Sequence, residues 1–183
     1  MHDYWKYRHL FCCCSALQVF LQSFDKNKME KEIERKYLVD ENKWPKTGKQ
    51  VKMKQAYLLT QPNIVIRVRV NENSAYLTIK GKPEGISRDE FEYEIPINDA
   101  LQLMEMRTGA IVSKTRYIEY IDNKKWETDV FDDENQGLIV AEIELDNENE
   151  TFTLPPWITH EVSTDERYYN FNLSKKPYSK WNK

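Results

Sequence analysis

Histidine and cysteine, the side chains that most often hold transition metals, are nearly missing from this chain of 183 residues. His2, His9 and His160 are too scattered to suggest a shared site. The three cysteines are consecutive, Cys12 to Cys14, a spacing that supplies neither a disulfide framework nor paired metal knuckles. It points to a reducing compartment, hence the cytoplasm. Any metal must then be held by carboxylates. An excess of one sign of charge is lacking too. Lys and Arg total 27 and Asp and Glu 30, a formal net charge of -3. The whole-molecule field therefore gives no strong pull toward nucleic acid or a membrane, and neither is expected as a partner. The apolar run "LFCCCSALQVFL" is too short to span a bilayer as a helix, and no small-x-small cleavage site follows it. There is no internal repeat or low-complexity stretch.

What the sequence does have is charge, at 31% of residues, above the rough quarter typical of soluble domains. The length suits one well-buried core. Residues 1–28 differ in character from the rest. They are expected to be an appendage, either a surface helix or the product of an upstream start that leaves Met29 as the functional beginning, with a membrane-directed role as a third alternative. The main domain is then 29–183.

From Met29 onward the punctuation is that of an antiparallel β protein. Strand-like runs fall at about 31–39, 50–60, 64–71, 74–81, 88–95, 111–121, 124–132 and 138–146, separated by turn-forming stretches such as "QPN", "NENS" and "DDENQ". One helix is expected after Asn98 as N-cap, packing through Leu101, Met104 and Leu103 and ending before Gly109. The segment 40–48, "DENKWPKTG", reads as another helical turn. The tail "STDERYYNFNLSK" reads as a last helix capped by Ser163 or Thr164.

Side chains alternate between the faces of a strand, so each run can be split in two. Glu32, Glu34 and Lys36 share one face of the first run. Arg67 and Arg69, Lys80 and Lys82, and Lys114 and Arg116 form basic pairs on others. Glu90 with Glu92 and Glu94, Glu127 with Asp129, and Glu142 with Glu144 form acidic ones. The opposite faces are apolar on nearly every strand. An ordinary half-exposed sheet also puts charges outward. A solvated face, however, usually mixes its signs, because neighbouring like charges are costly. Here the signs are segregated strand by strand, which a ligand or metal of opposite sign between them would explain. Eight strands closed into a barrel with the charged face inward would make a polar tunnel, its apolar outer face covered by the few helices and the tail.

The motifs "EIERKYLV", "RVR", "TIKGK", "EYEI", "KTRY", "AEIEL" and "DERYYN" resemble, in order, those of the CYTH superfamily, the triphosphate tunnel metalloenzymes, over nearly all of 29–172. The resemblance implies a mainly β (α+β) fold, an eight-stranded antiparallel closed tunnel. It also implies a divalent-metal-dependent enzyme acting on a triphosphate-containing small molecule, most like the bacterial inorganic tripolyphosphatases. The activity would be hydrolysis of inorganic triphosphate to orthophosphate and pyrophosphate. A class IV adenylate cyclase, a thiamine or nucleoside triphosphatase, and a polyphosphate- or nucleotide-binding module without turnover are the alternatives. A homodimer is compatible with the family.

Carried over residue by residue, the resemblance makes Arg67, Arg69, Lys80, Lys82, Lys114 and Arg116 the phosphate-binding bases, and arginine suits phosphate through its two-pronged grip. Glu32, Glu34 and Glu144 become ligands for Mg²⁺ or Mn²⁺, for which all-oxygen ligation is suitable. Glu142 and Asp129 become candidates for a second metal or its water, and Glu90 and Glu92 orienting groups. Lys36, partnered by Tyr57, is a candidate base if neighbouring cations lower its pKa, and otherwise one more phosphate clamp. Tyr57 is otherwise a packed barrel tyrosine.

Overall fold

The computed structural model describes residues 30–181, so the expected appendage at 1–28 lies outside the described residues. Nine strands form one sheet: β1 (Glu30–Val39), β2 (Lys49–Gln61), β3 (Ile64–Asn71), β4 (Ala75–Gly81), β5 (Ser87–Ile95), β6 (Val112–Ile121), β7 (Lys124–Phe131), β8 (Ile139–Glu144) and β9 (Ile158–Glu161). Their order is β5-β4-β3-β2-β6-β7-β8-β1-β9, and β5 also pairs with β1, which closes an eight-stranded antiparallel barrel. The closing seam is four residues long, from Glu30 opposite Glu90 to Ile33 opposite Ser87. Beyond it β5 leaves, and the second half of β1 takes β9 on the same side, Tyr37 opposite Glu161. β9 was not expected. "ITHE" is short and has one apolar residue, too little for a period-2 pattern.

Local chemistry explains the hairpins. Asp122 and Asn123 both take positive φ, 49° and 62°, in the two-residue turn between β6 and β7. That is the turn whose twist suits paired strands. Between β3 and β4 the Asn71 carboxamide oxygen accepts from the backbone N–H groups of Asn73 and Ser74. Gly48, at φ 88°, leads into β2 where a Cβ would lie 2.3 Å from the Ile118 carbonyl oxygen. Only glycine fits there.

The outer face of the barrel is apolar, as the alternation implied, and three covers bury it. Trp44, Trp126 and Trp157 pack with Tyr37, Ile33 and Ile143 over β1, β7 and β8. The segment 40–48 contributes Trp44 to this cluster without forming a helix. It makes a single turn in which the Asp40 carbonyl accepts from the N–H groups of Lys43 and Trp44. Helix α1 (Ile97–Glu105) covers β2 to β4 through Ala100 and Met104, which meet Ala56, Val68 and Ala75. These two residues are four apart and so share one face. Leu101 lies off that face and is half exposed, contrary to expectation. Asn98 does not cap the helix; Pro96 precedes its first turn without a side-chain bond. In the tail a 3₁₀ turn, Glu166–Tyr168, precedes a short helix α2 (Asn170–Lys175). The Asp165 carboxylate accepts from the Arg167 N–H, a role expected of Ser163 or Thr164.

Part of the interior is apolar. Val112, Phe131 and Val140, which share faces with Lys114, Asp129 and Glu142, are buried with Leu138 and with Leu173 of the tail. Each such apolar side chain contributes roughly 1.5–3 kcal/mol by leaving water. Together they form a hydrophobic floor beside the charged part of the interior. Among the described residues no helix is long and apolar enough to cross a membrane.

Candidate active site

Above this floor lies a cavity of about 400 Å³. Strand register decides which charges meet in it. Glu32 stands opposite Arg88 across the seam, Lys36 opposite Glu142 and Glu34 opposite Glu144 across β1 and β8, Lys80 opposite Glu90 across β4 and β5, and Arg116 opposite Asp129 across β6 and β7. Paired residues have their Cβ atoms about 5 Å apart, so acids and bases segregated in sequence become neighbours in space. Seven acids and seven bases line the cavity, so its formal charges cancel.

Lys36 Nζ lies 2.7 Å from Glu34 Oε1 and 2.5 Å from Glu142 Oε1. Lys80 Nζ lies 2.7 Å from both Glu32 Oε1 and Glu90 Oε2. Arg88 donates from Nε to Glu32 Oε2 at 2.6 Å and from Nη2 to Glu34 Oε1 at 3.3 Å. Glu92 gathers the two arginines of β3, Arg69 at 2.9 Å and Arg67 at 3.3 Å, and accepts from Thr78 Oγ1 at 2.8 Å. Among the described residues the buried Nε of Arg67 has no hydrogen-bond partner. Arg116 joins Asp129, Glu127 and Glu142.

These contacts shift protonation in readable directions. Burial pulls the pKa of Lys36 down, but Glu142 and Glu34 outweigh it and leave the ammonium strengthened. The close neighbours of Lys36 are acids, which favour its charged form. Burial pushes the Tyr57 hydroxyl up to about 12 despite Arg67, Arg88 and Lys36, so it keeps its proton at neutral pH. Tyr57 accepts from Gln55 Nε2 at 3.0 Å, and no hydrogen bond joins it to Lys36. Burial of its carboxyl, opposed by Lys125 and reinforced by Glu32, Glu127 and Glu34, raises the pKa of Glu144.

Most of the residues singled out from sequence face this one cavity: Glu32, Glu34 and Lys36 from β1, Tyr57 from β2, Arg67 and Arg69 from β3, Lys80 from β4, Glu90 and Glu92 from β5, Arg116 from β6, and Glu142 and Glu144 from β8. Three do not. Lys82 is exposed, because β4 ends at Gly81 and the chain turns away before its side chain can face inward. Lys114 and Asp129 are 2% and 0% exposed and pair with each other below the cavity, against the floor. Asp129 is held here by Lys114 and Arg116, and Lys114 by Asp129, so neither lines the cavity itself. Arg88 was missed, though its signal was present: it shares the face of Glu90 and Glu92, two positions before the first and four before the second. Glu127 and Lys125 also line the cavity.

Among the described residues no three metal-binding side chains are gathered closely enough to hold an ion. The reason lies in the pairs above, which draw Glu32 and Glu34 onto Lys80, Arg88 and Lys36. The donor chemistry nonetheless suits a hard cation. Among the described residues the Glu144 carboxylate, partner of Glu34 in register, has no ion pair or hydrogen bond, and the carboxylates of Glu32, Glu127 and Glu34 lie near it.

The CYTH domain model matches residues 30–178. The chain is 43% identical over 151 residues to an inorganic triphosphatase of Acetivibrio thermocellus, covering 82% of this chain and 97% of that one. It is 35% identical over 148 residues to an inorganic triphosphatase of Nitrosomonas europaea, covering 78% and 96%. A solved inorganic triphosphatase superposes with a TM-score of 0.58 at 32% identity, over 81% of this chain and 97% of its own.

Proposed function

Because the chain belongs to the CYTH family, we propose that the cavity hydrolyses inorganic triphosphate to orthophosphate and pyrophosphate. The observation that carries this reading is the joining of Arg67, Arg69, Lys80 and Arg116 to Glu32, Glu34 and Glu144 in one cavity of about 400 Å³. The two relatives that cover most of the chain bear the name of this activity.

A triphosphate brings several negative charges into a cavity whose own charges cancel, so a positive partner must enter with it. Glu32, Glu34 and Glu144 would hold Mg²⁺ or Mn²⁺, which neutralises phosphoryl charge and lowers the pKa of a water bound to it. Arg67 and Arg69 clamp the phosphate chain from β3. The unpartnered Nε of Arg67 offers it a donor that costs no existing bond. Lys80 and Arg116 hold it from the neighbouring walls. Lys36, an ammonium set between Glu34 and Glu142, serves as a further clamp, and Tyr57 as a neutral donor. Attack of water in line on the terminal phosphorus breaks the phosphoanhydride bond. The bases retain the pyrophosphate until it leaves. Glu90 and Glu92 keep Lys80 and the two β3 arginines aimed. The consecutive cysteines favour the cytoplasm as its compartment.

A panel of tripolyphosphate, ATP and thiamine triphosphate, each with Mg²⁺ and with Mn²⁺, tests the reading. Phosphate and pyrophosphate in equal amounts from tripolyphosphate are expected. Cyclic AMP with pyrophosphate from ATP would replace the hydrolase by a cyclase. Intact tripolyphosphate that still raises the melting temperature would leave a binding module.

A further inference from the structure

Glu32 and Glu34 hold three cations between them, and those cations are not equivalent. Lys80 also contacts Glu90, and Lys36 also contacts Glu142, each pair within 2.7 Å. Either lysine can lose its β1 carboxylate and remain neutralised. Arg88 cannot. Among the described residues its only carboxylate partners within 4 Å are Glu32 and Glu34, and it bridges them from across the seam. Its side chain is 20% exposed on the cavity, which gives it room to move.

Once a divalent cation takes Glu32 and Glu34, Arg88 loses both partners at once. A guanidinium inside the cavity then needs another anion, and a phosphate oxygen is the one that arrives with the cation. We propose that Arg88 is an exchangeable counter-cation. In the empty site it holds the two carboxylates in place of the metal, and in the loaded site it moves onto the triphosphate. This deepens the proposed function and rests on its metal assignment.

The exchange has a thermodynamic sign. Without substrate, Arg88 and the metal compete for the same oxygens, so the arginine weakens metal binding. With triphosphate present, the released guanidinium has an anion to bind, so metal and substrate each strengthen the other. A residue that merely held the barrel together would weaken both when removed.

The test uses the full chain and Mn²⁺ alone, titrated by the electron spin resonance of free Mn²⁺, followed by steady-state kinetics on tripolyphosphate. Arg88→Gln is expected to bind Mn²⁺ about tenfold more tightly than the wild type, while its KM for tripolyphosphate rises about tenfold. Arg88→Lys keeps the charge but reaches one carboxylate; it is expected to tighten Mn²⁺ binding by a smaller factor, and it carries the test if the glutamine variant does not fold. Mn²⁺ binding no tighter than wild type in either folded variant overturns the exchange. Glu34→Gln separates this from failure of the underlying site. If wild-type binding of Mn²⁺ is undetectable, or survives unchanged in Glu34→Gln, the metal assignment itself falls and the exchange falls with it.

Discussion

Arg116 and Asp129 meet as a two-pronged pair inside the barrel, Nε to Oδ1 and Nη2 to Oδ2, each at 2.7 Å. The same carboxylate also takes the Lys114 ammonium, so one fully buried acid balances two buried bases. Removing one partner of such a group leaves uncompensated charge, at a cost of about 3–5 kcal/mol. Asp129→Asn is therefore expected to lower the unfolding free energy by an amount of that order, read as a fall in the urea midpoint. An unchanged midpoint would mean that the pair carries no weight in the fold.

Glu34→Gln should abolish metal-dependent turnover, by roughly a hundredfold or more in kcat, while the fold survives. Lys36 keeps Glu142 and Arg88 keeps Glu32, so no buried cation is stranded. Phosphate release and near-ultraviolet circular dichroism read the two halves of this expectation. Full activity in the variant would remove Glu34 from the site.

Arg69→Ala should weaken substrate capture more than chemistry. Arg69 lies toward the cavity with Tyr76 under its guanidinium, 5.3 Å to the ring centre, and its loss leaves Glu92 still bonded to Thr78 and Arg67. A lost charge-assisted contact costs roughly 1.5–3 kcal/mol, so KM for tripolyphosphate should rise about tenfold or more with kcat changed much less. Equal losses in kcat and kcat/KM would instead place Arg69 on the transition state alone.

Lys114 predicts a pH dependence of stability. Burial depresses its pKa most, Asp129 opposes this and Arg116 adds to the depression, bringing it from 10.5 to about 8. Between about 8 and 10.5 the unfolded chain binds the proton and the folded chain has released it. Stability therefore rises with pH across that window, by at most about 3 kcal/mol. Urea midpoints for the wild type should climb through this window, and Lys114→Met should lose the climb. Parallel curves for the two proteins would show that the ammonium stays charged.

The alternation of charge made the faces legible, and register, which sequence does not state, decided the partners. "EIERKYLV" reads correctly as a strand with Glu32, Glu34 and Lys36 on one side and Ile33 and Tyr37 packed on the other. Period 2 assigns a face but not a depth along the barrel. Lys114 and Arg116 look equivalent in "KTRY", yet one lies against the hydrophobic floor and the other lines the cavity. Lys82 departs in another way, one residue past the last paired position of β4. Arg88 escaped notice because it stands alone among acids, where a lone base looks like surface relief. In α1 the small Ala100 packs where the larger Leu101 was expected, because the covering face needs close approach to Ala56 and Ala75.

The shared use of β1, by β5 along its first half and by β8 and β9 along its second, also sets an order in time. Neighbouring hairpins from β2 to β5 and from β6 to β8 can pair locally. β1 has to wait for partners that lie 54–60 and more than a hundred residues further along the chain, as β2 waits for β6, 57–69 residues on. Contacts of such separation form late, after the entropy of closing long loops has been met. Glu32, Glu34 and Lys36 ride on that last strand, so the cavity comes into being in the same event that closes the barrel. A refolding chain would regain most of its sheet before it regains any capacity for catalysis.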